Sequence, residues 1–517
     1  MNIYIRTNFN TTIGLGHIKR TIRIAEELKI RGHNCIFYID KLNPKIKIPF
    51  ENFEIYSNSN MYYGEIHDAK LFTQITQKKK SGMVILDDYR FSIVWEQHVS
   101  LYHNKIVIFD DLESQKHYAD FIINYNPRNY PIVKYNHKRN IKNNCQFLIH
   151  PKYNIIEKKD VKVIGNSKIF NITIYIGGGN DQIIAFRLIK EILKNISSKK
   201  IKIFIVIGPL AKNFNEILKL SKKNKQLKCI LRPDSLSNVI KNSKIFIGSS
   251  GTTIFETAFY KTPSILIKMA KNQDSNIFSL EKMGHYFFID KKEFINFKKF
   301  SKFIILIYEN YNRFKLFNIK PEIKIDHKGS KRIIDRIFSK NKKDNFNLST
   351  ISKHSNSKVL KIRTSNDKDI NHYLYSRNLM INRNNSVRTK KISTLEHYSW
   401  WFKTKRKSYI LLRNKKKVLY FYEDNFFKYK NENYNISGWF ACSEKCSIKE
   451  ILFALNWQRK NAKPNMKWIS FIKKSNKMSI LMSKYVGWIK INATDELVNK
   501  LNNELKINTN DYIFYKR

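Results

Sequence analysis

Short apolar runs bounded by glycine or polar residues recur along the first two thirds of the chain. Residues 1–6 alternate as a strand does, and a glycine loop follows. Residues 17–31 then place Ile18, Ile22, Ile24, Ala25 and Leu28 at helical spacing, with Gly32 as a C-terminal cap. Cys35–Ile39 predicts the next parallel strand, which completes a β-loop-α-β unit of the doubly wound kind. Further buried-strand runs stand at 83–86, 105–109 and 121–125, several of them ending in acidic or polar residues. A second series begins with a strand at 170–176 and a helix at 183–196. Strands at 201–208, 244–248 and 264–268 continue it. The pattern predicts two doubly wound domains, 1–160 and 165–338, facing across a cleft. A polar stretch, 339–357, is the expected linker, and 358–517 mixes strand-like and helical runs as a third, α+β domain.

Composition narrows the class. A chain of 517 residues with 42% hydrophobic content is expected to fold as two to four globular domains. No run of eighteen apolar residues predicts a spanning helix, so no membrane insertion is expected. The N-terminus enters a strand pattern with no export signal, and the expectation is a cytoplasmic protein. Cys35, Cys145, Cys229, Cys442 and Cys446 are few and scattered, which argues against a disulfide framework. The Cys442/Cys446 pair has no second pair or histidine nearby, so no metal site is expected. The net charge of +54 suggests nucleic acid, yet it is spread over the whole length. It coincides with heavy use of Ile, Asn, Phe and Tyr, which AT-rich codons encode as they do Lys. No nucleic-acid motif accompanies it, and no nucleic-acid partner is expected. The field would still draw an anionic ligand toward a cleft.

Candidate chemistry lies at the loops after the strands. In I-G-L-G-H-I-K-R (13–20), Gly14 and Gly16 permit close backbone approach, and the helix that follows offers free N–H groups. The spacing is not the dinucleotide pattern. His17 in the first turn is disfavoured as a cation by the helix dipole and so is available as a base; a structural histidine remains equally open from this loop alone. Arg20 is a candidate partner for a phosphate or an acidic side chain, or a plain surface arginine. Asp88 and Tyr89 close a strand, where they orient either a ligand or His17, or simply end the strand. In the second half, S-S-G-T-T-I-F-E-T (249–257) presents Ser250, Gly251, Thr252 and Thr253 to an anion, with Glu256 placed for a ribose diol. Mutual capping of Thr253 and Glu256 is the alternative. Gly177, Gly178 and Gly179 form another edge, and Asn272 and Gln273 close the next strand with amide groups.

Taken in order, these pieces resemble a family. G-L-G-H-I-K-R, D-D-Y with W-E (87–89, 95–96), I-F-D-D-L (108–112), I-I-N-Y-N-P (122–127), G-G-G-N-D (177–181), S-S-G-T-T-I-F-E (249–256) and A-K-N-Q (270–273) look like the UDP-2,4-diacetamido-2,4,6-trideoxy-β-L-altropyranose hydrolases of pseudaminic acid biosynthesis. The resemblance covers about residues 1–335. It implies a GT-B-like pair of Rossmann-type domains, shared with the related peptidoglycan N-acetylglucosaminyltransferase. It further implies His17 as base, water as acceptor, UDP as leaving group and inversion at the anomeric carbon. Helix N-termini and loop amides would stabilise the diphosphate, so the hydrolase is expected to need no cofactor or metal. A UDP-sugar is the implied substrate, and other nonulosonic acid enzymes are implied partners. A UDP-sugar glycosyltransferase of the same fold, with a carbohydrate or lipid acceptor, is the alternative. The chain departs from the family where Asp87-Asp88-Tyr89 replaces Asp-His-Tyr and Asn124-Tyr125-Asn126 replaces Asp-Gln-Asn.

Residues 358–517 resemble GNAT acyltransferases through 360–369, 392–402 and 476–488. A GNAT-like domain would use acetyl-CoA. The glycine-containing pyrophosphate loop of that family is missing, since 439–450 holds no glycine. A degenerate module is therefore expected.

Overall fold

Runs rich in Ile, Val and Phe and only four to seven residues long become parallel strands buried on both faces, as near-continuous apolar strands do. The computed structural model describes residues 1–9, 15–40, 52–57, 64–77, 81–113, 115–127, 142–157, 161, 169–177, 182–196, 199–209, 211–270, 273, 275–339, 359–443, 446–462, 466–505 and 509–517. The chain divides into two units, Met1–Asp344 and Asn345–Arg517.

The first unit holds two parallel sheets. One consists of β1 (Asn2–Thr7), β2 (Asn34–Ile39), β3 (Glu54–Ser57), β4 (Ser81–Asp87), β5 (Lys105–Phe109), β6 (Phe121–Asn124) and β7 (Gln146–Ile149), in the order β3-β2-β1-β4-β5-β6-β7. The other consists of β8 (Phe170–Tyr175), β9 (Ile201–Ile207), β10 (Leu227–Leu231), β11 (Ile245–Ser249), β12 (Ser264–Lys268) and β13 (Phe287–Asp290), in the order β10-β9-β8-β11-β12-β13. In each the strand order reverses between its first and fourth strands, β1 and β4 or β8 and β11. That is where open α/β sheets bind ligands. The expected doubly wound pair is therefore present. β3, β7, β10 and β13 were not foreseen; β3 and β10 are half-exposed strands without a long apolar run.

Strand alternation assigns each residue of the first sheet to one of two layers. Ile3, Ile5, Met83, Ile85, Val107 and Phe109 pack on the side of helix Gly16–Ile30. Tyr4, Val84, Leu86, Ile106 and Ile108 pack on the opposite side, with Phe72 and Trp95 of helices Glu65–Gln77 and Ile93–Ser100. The first of these cores is shared by the two halves, because Ile254, Phe255 and Leu266 of the second join it. Helix Gly329–Phe338 returns to the first half, where Lys105 Nζ donates to Ile337 O at 2.9 Å and Arg31 meets Asp335 at 2.7 Å. At its start a Cβ on Gly329 would lie 1.7 Å from Asn154 O, so this crossing requires glycine.

The second unit is a mixed sheet of β14 (Leu360–Thr364), β15 (Lys407–Arg413), β16 (Lys416–Tyr429), β17 (Glu432–Ala441), β18 (Lys467–Lys473), β19 (Ile489–Ile491) and β20 (Tyr512–Lys516), ordered β14-β15-β16-β17-β18-β20-β19. Among the described residues of this unit only β17 and β18 pair in parallel. The α+β expectation for this region agrees with that sheet. The expected linker lies, except for Ser339, outside the described residues. Among the described residues no helix is long and apolar enough to cross a membrane.

Candidate active site

Helix Gly16–Ile30 starts one loop after β1, so His17 and Arg20 sit beside the switch point between β1 and β4. A Cβ built on Gly16 meets nothing within 4 Å, which leaves open space before this helix. Gly14 lies outside the described residues.

β4 carries the partner. Thr7 pairs with Asp87 across β1 and β4, and Asp87 follows Met83 and Ile85 in the alternation that faces the helix. Its buried carboxylate is 2.6 Å from His17 Nδ1 and accepts from Arg20 Nε at 2.6 Å and Nη2 at 2.5 Å. Burial alone would raise the Asp87 carboxyl. The Arg20 charge and His17 reverse this and hold it far below the usual carboxylate range. An ionised Asp87 only accepts, so Nδ1 of His17 carries the hydrogen and donates it. Nε2 is then the nitrogen with a free lone pair, and it makes no hydrogen bond among the described residues.

Arg20 is buried and takes the acidic of its predicted partners. Besides Asp87 it donates from Nη1 to Asp111 Oδ2 at 2.6 Å and to the Tyr125 hydroxyl at 3.3 Å, with its guanidinium over the Phe109 ring. Burial would lower its pKa, but Asp111 and Asp87 raise it well above the ordinary value, so it stays charged. Tyr89 donates to the same Asp111 oxygen at 2.7 Å and sets its ring edge-on to His17, 4.5 Å between centroids. Burial, then Asp111, pushes the Tyr89 phenol far up, so it remains a donor.

Asp88 is placed differently. It follows Val84 and Leu86 in the alternation, toward the other layer, and Arg90 grips it at 2.5–3.2 Å. Arg90 also reaches Asp40, which with Asp68 pairs the fully buried Arg6. His17 thus meets Asp87 rather than Asp88, a partner the motif reading passed over and the period of two would have found.

The second edge lies at the β8/β11 switch point. Gly177 follows β8 with φ +104°, a conformation that favours glycine, and a Cβ there would be 3.6 Å from Ser249 Oγ. Gly178, Gly179 and Asn272 lie outside the described residues. Ser250 Oγ donates to Gln273 O at 2.9 Å, and Gln273 Oε1 accepts from Met269 N at 3.0 Å. These bonds brace the loop and leave the Gln273 Nε2 donor near Gly251, 3.8 Å from a Cβ built there. Helix Thr253–Phe259 follows Thr252 with no side-chain cap, so the predicted alternative of mutual capping between Thr253 and Glu256 is not made. Among the described residues Glu256 Oε2 is buried without a hydrogen-bond partner. Burial pushes its carboxyl up to about 7, against the pull of Lys19. Lys19 belongs to the His17 helix, so the charge of that helix acts on Glu256. The Tyr125 ring meets Phe255 edge-on at 5.3 Å.

Among the described residues no group of three His, Cys, Asp or Glu side chains could hold a metal ion.

Residues 173–312 match the glycosyltransferase family 28 C-terminal domain, a stretch that includes Gly177, Glu256 and Gln273. The chain is 24% identical over 285 residues to the uncharacterized protein MJ1062 of Methanocaldococcus jannaschii, across 52% of this chain and 55% of that one. It therefore spans about half the length of that relative. It is 23% identical over 288 residues to the UDP-2,4-diacetamido-2,4,6-trideoxy-beta-L-altropyranose hydrolase of Campylobacter jejuni, across 55% of this chain and 98% of that one. The crystal structure of Acinetobacter baumannii MurG covers 65% of this chain and 98% of its own, with TM-score 0.47 and 11% identity.

Proposed function

We propose that the first unit hydrolyses a UDP-linked 2,4-diacetamido-2,4,6-trideoxy hexose to UDP and the free sugar. The observation that carries this reading is the His17–Asp87 pair at one switch point. Its Nε2 makes no hydrogen bond among the described residues, and Lys19 of the His17 helix acts electrostatically on Glu256. The likeness to the Campylobacter jejuni hydrolase supports the substrate class.

In this reading Glu256 accepts from the ribose hydroxyls, and the Ser250–Gln273 loop lies against the UDP. His17 Nε2 takes a proton from water as the water oxygen bonds to the anomeric carbon on the face opposite UDP. The bond from that carbon to the UDP oxygen breaks, its electron pair leaves with UDP, and the centre inverts. Asp87 stabilises the imidazolium that forms, while Arg20 and Tyr89 fix Asp87 and Asp111 around it. A positioned base of this kind contributes on the order of 10²–10⁴-fold in rate.

The test is UDP release from this UDP-sugar in the absence of any acceptor. Release without acceptor is expected. Release only when a carbohydrate or lipid acceptor is added would replace the reading with a glycosyltransferase.

For the second unit we propose a GNAT-related module that does not bind acetyl-CoA. Helix Ile448–Lys460 begins with a capping box in which Glu450 Oε2 accepts from Ser447 N at 2.8 Å, and Arg413 holds Oε1 at 2.8 Å. The chain's own carboxylate thus occupies the helix start that a pyrophosphate would need.

A further inference from the structure

The tandem aspartates at the end of β5 part company. Asp111 faces the His17 layer and binds Arg20 and Tyr89. Asp110 faces the other layer, where His117 lies between it and Glu96. His117 Nδ1 is 2.7 Å from Glu96 Oε1; Nε2 is 3.4 Å from Asp110 Oδ2, an ion-pair approach that is not a hydrogen bond, and makes none among the described residues. All three side chains are buried, at 5% exposure or less. Asp110 Oδ1 accepts from Leu112 N at 3.1 Å and Glu113 N at 2.8 Å, and so shapes the turn that presents Asp111. Glu96 Oε2 also accepts from Tyr118 N.

We propose that His117 is a positioning residue for the hydrolysis described above: bridging Glu96 and Asp110, it holds the turn that keeps Asp111 on Arg20 and Tyr89, and through them the His17–Asp87 pair. The inference rests on that reading of the function.

A bridging histidine between two carboxylates is needed in its charged form. Without the proton, two buried carboxylates face each other with no cation between them, and the turn loses its anchor. Burial alone would lower the His117 imidazole, but Asp110 and Glu96 raise it to about 9. The other groups facing this cluster are Asp88 and Tyr89, which line the same small cavity, Glu65 behind Glu96, and the Cys145 thiol with Asp120 and Lys142. Burial pushes the Cys145 thiol up to about 12, and the Tyr89 phenol lies higher still, so neither titrates near His117. Activity should therefore fall through an alkaline limb set by His117.

The experiment follows UDP release across pH for the full chain and for His117→Gln and Glu96→Gln. In the wild type kcat is expected to fall with an apparent pKa near 9. Glu96→Gln removes one of the two charges and should move that limb down by about one unit or more. His117→Gln should abolish the limb and lower kcat about tenfold near neutral pH, with KM within about twofold because the nucleotide is held elsewhere. Folded variants that keep the wild-type kcat and the same limb would overturn the proposal. Histidine-selective nitrogen-labelled NMR gives an answer independent of turnover: the His17 ring signals should shift as His117 titrates and lose that step in His117→Gln. If the wild type releases no UDP, the hydrolase reading fails while this coupling still decides the inference. Absence of the coupling overturns it.

Discussion

Asp87 Oδ1 stands 2.6 Å from His17 Nδ1 and 2.5 Å from Arg20 Nη2, joining the end of β4 to the first turn of the helix after β1. One buried carboxylate thereby sets the tautomer of the histidine and neutralises the arginine beneath it. The neighbouring Asp88 serves a separate network with Arg90 and Asp40 on the opposite face of the sheet. Asp110 and Asp111 are divided in the same way.

Asp87→Asn tests the pair. An amide can donate to Nδ1, which favours the tautomer with the hydrogen on Nε2 and removes the base. We expect kcat for UDP release to fall about 100-fold or more with KM changed little, as orienting carboxylates behave in histidine-based catalysis. Steady-state kinetics check this, and a kcat within about threefold of wild type would reject it.

Arg20→Met should act mainly on stability. It leaves Asp87 buried and Asp111 half-buried with their cation gone, and breaking a buried pair such as Arg20–Asp87 costs about 3–5 kcal/mol. Denaturant unfolding of the first unit would register the loss.

In the proposed reading Glu256 links nucleotide binding to pH. Its carboxyl is raised to about 7, so the form that accepts ribose hydroxyls grows as pH rises through that value. UDP affinity, measured by calorimetry, is expected to weaken below about pH 7, and Glu256→Gln should flatten that dependence. Stability runs the other way. The folded chain binds this proton more tightly than the unfolded one, so the contribution is fully present below the ordinary carboxyl pKa and is lost as pH rises through about 7. Glu256→Gln should therefore raise the Tm at alkaline pH while weakening UDP binding.

The filled helix start of the second unit predicts no saturable acetyl-CoA binding by the full chain. A Tm that stays flat as acetyl-CoA is added meets the expectation. A concentration-dependent rise would contradict it.

Much of the fold could be read from the chain because buried parallel strands announce themselves as apolar runs: 105–109 and 264–268 coincide with β5 and β12. β3 and β10 could not be read this way, since their half-exposed residues draw stability from neighbouring strands. His17 and Glu256 stood out because each closes a glycine-containing loop that opens a helix. Asp87 did not, because D-D-Y offers three polar residues in a row and only strand phase tells them apart. His117 left no local signal: Glu96 and Asp110 reach it from a separate helix and a separate strand end.

The central claim is that water, placed by His17, attacks the sugar carbon. Turnover of the UDP-sugar in oxygen-18 water, read by mass spectrometry on both products, tests it most directly. The account predicts one heavy oxygen on the anomeric carbon of the released sugar and none in UDP. Label in UDP, which would mark attack at phosphorus, or no UDP formed without an added acceptor, would contradict it.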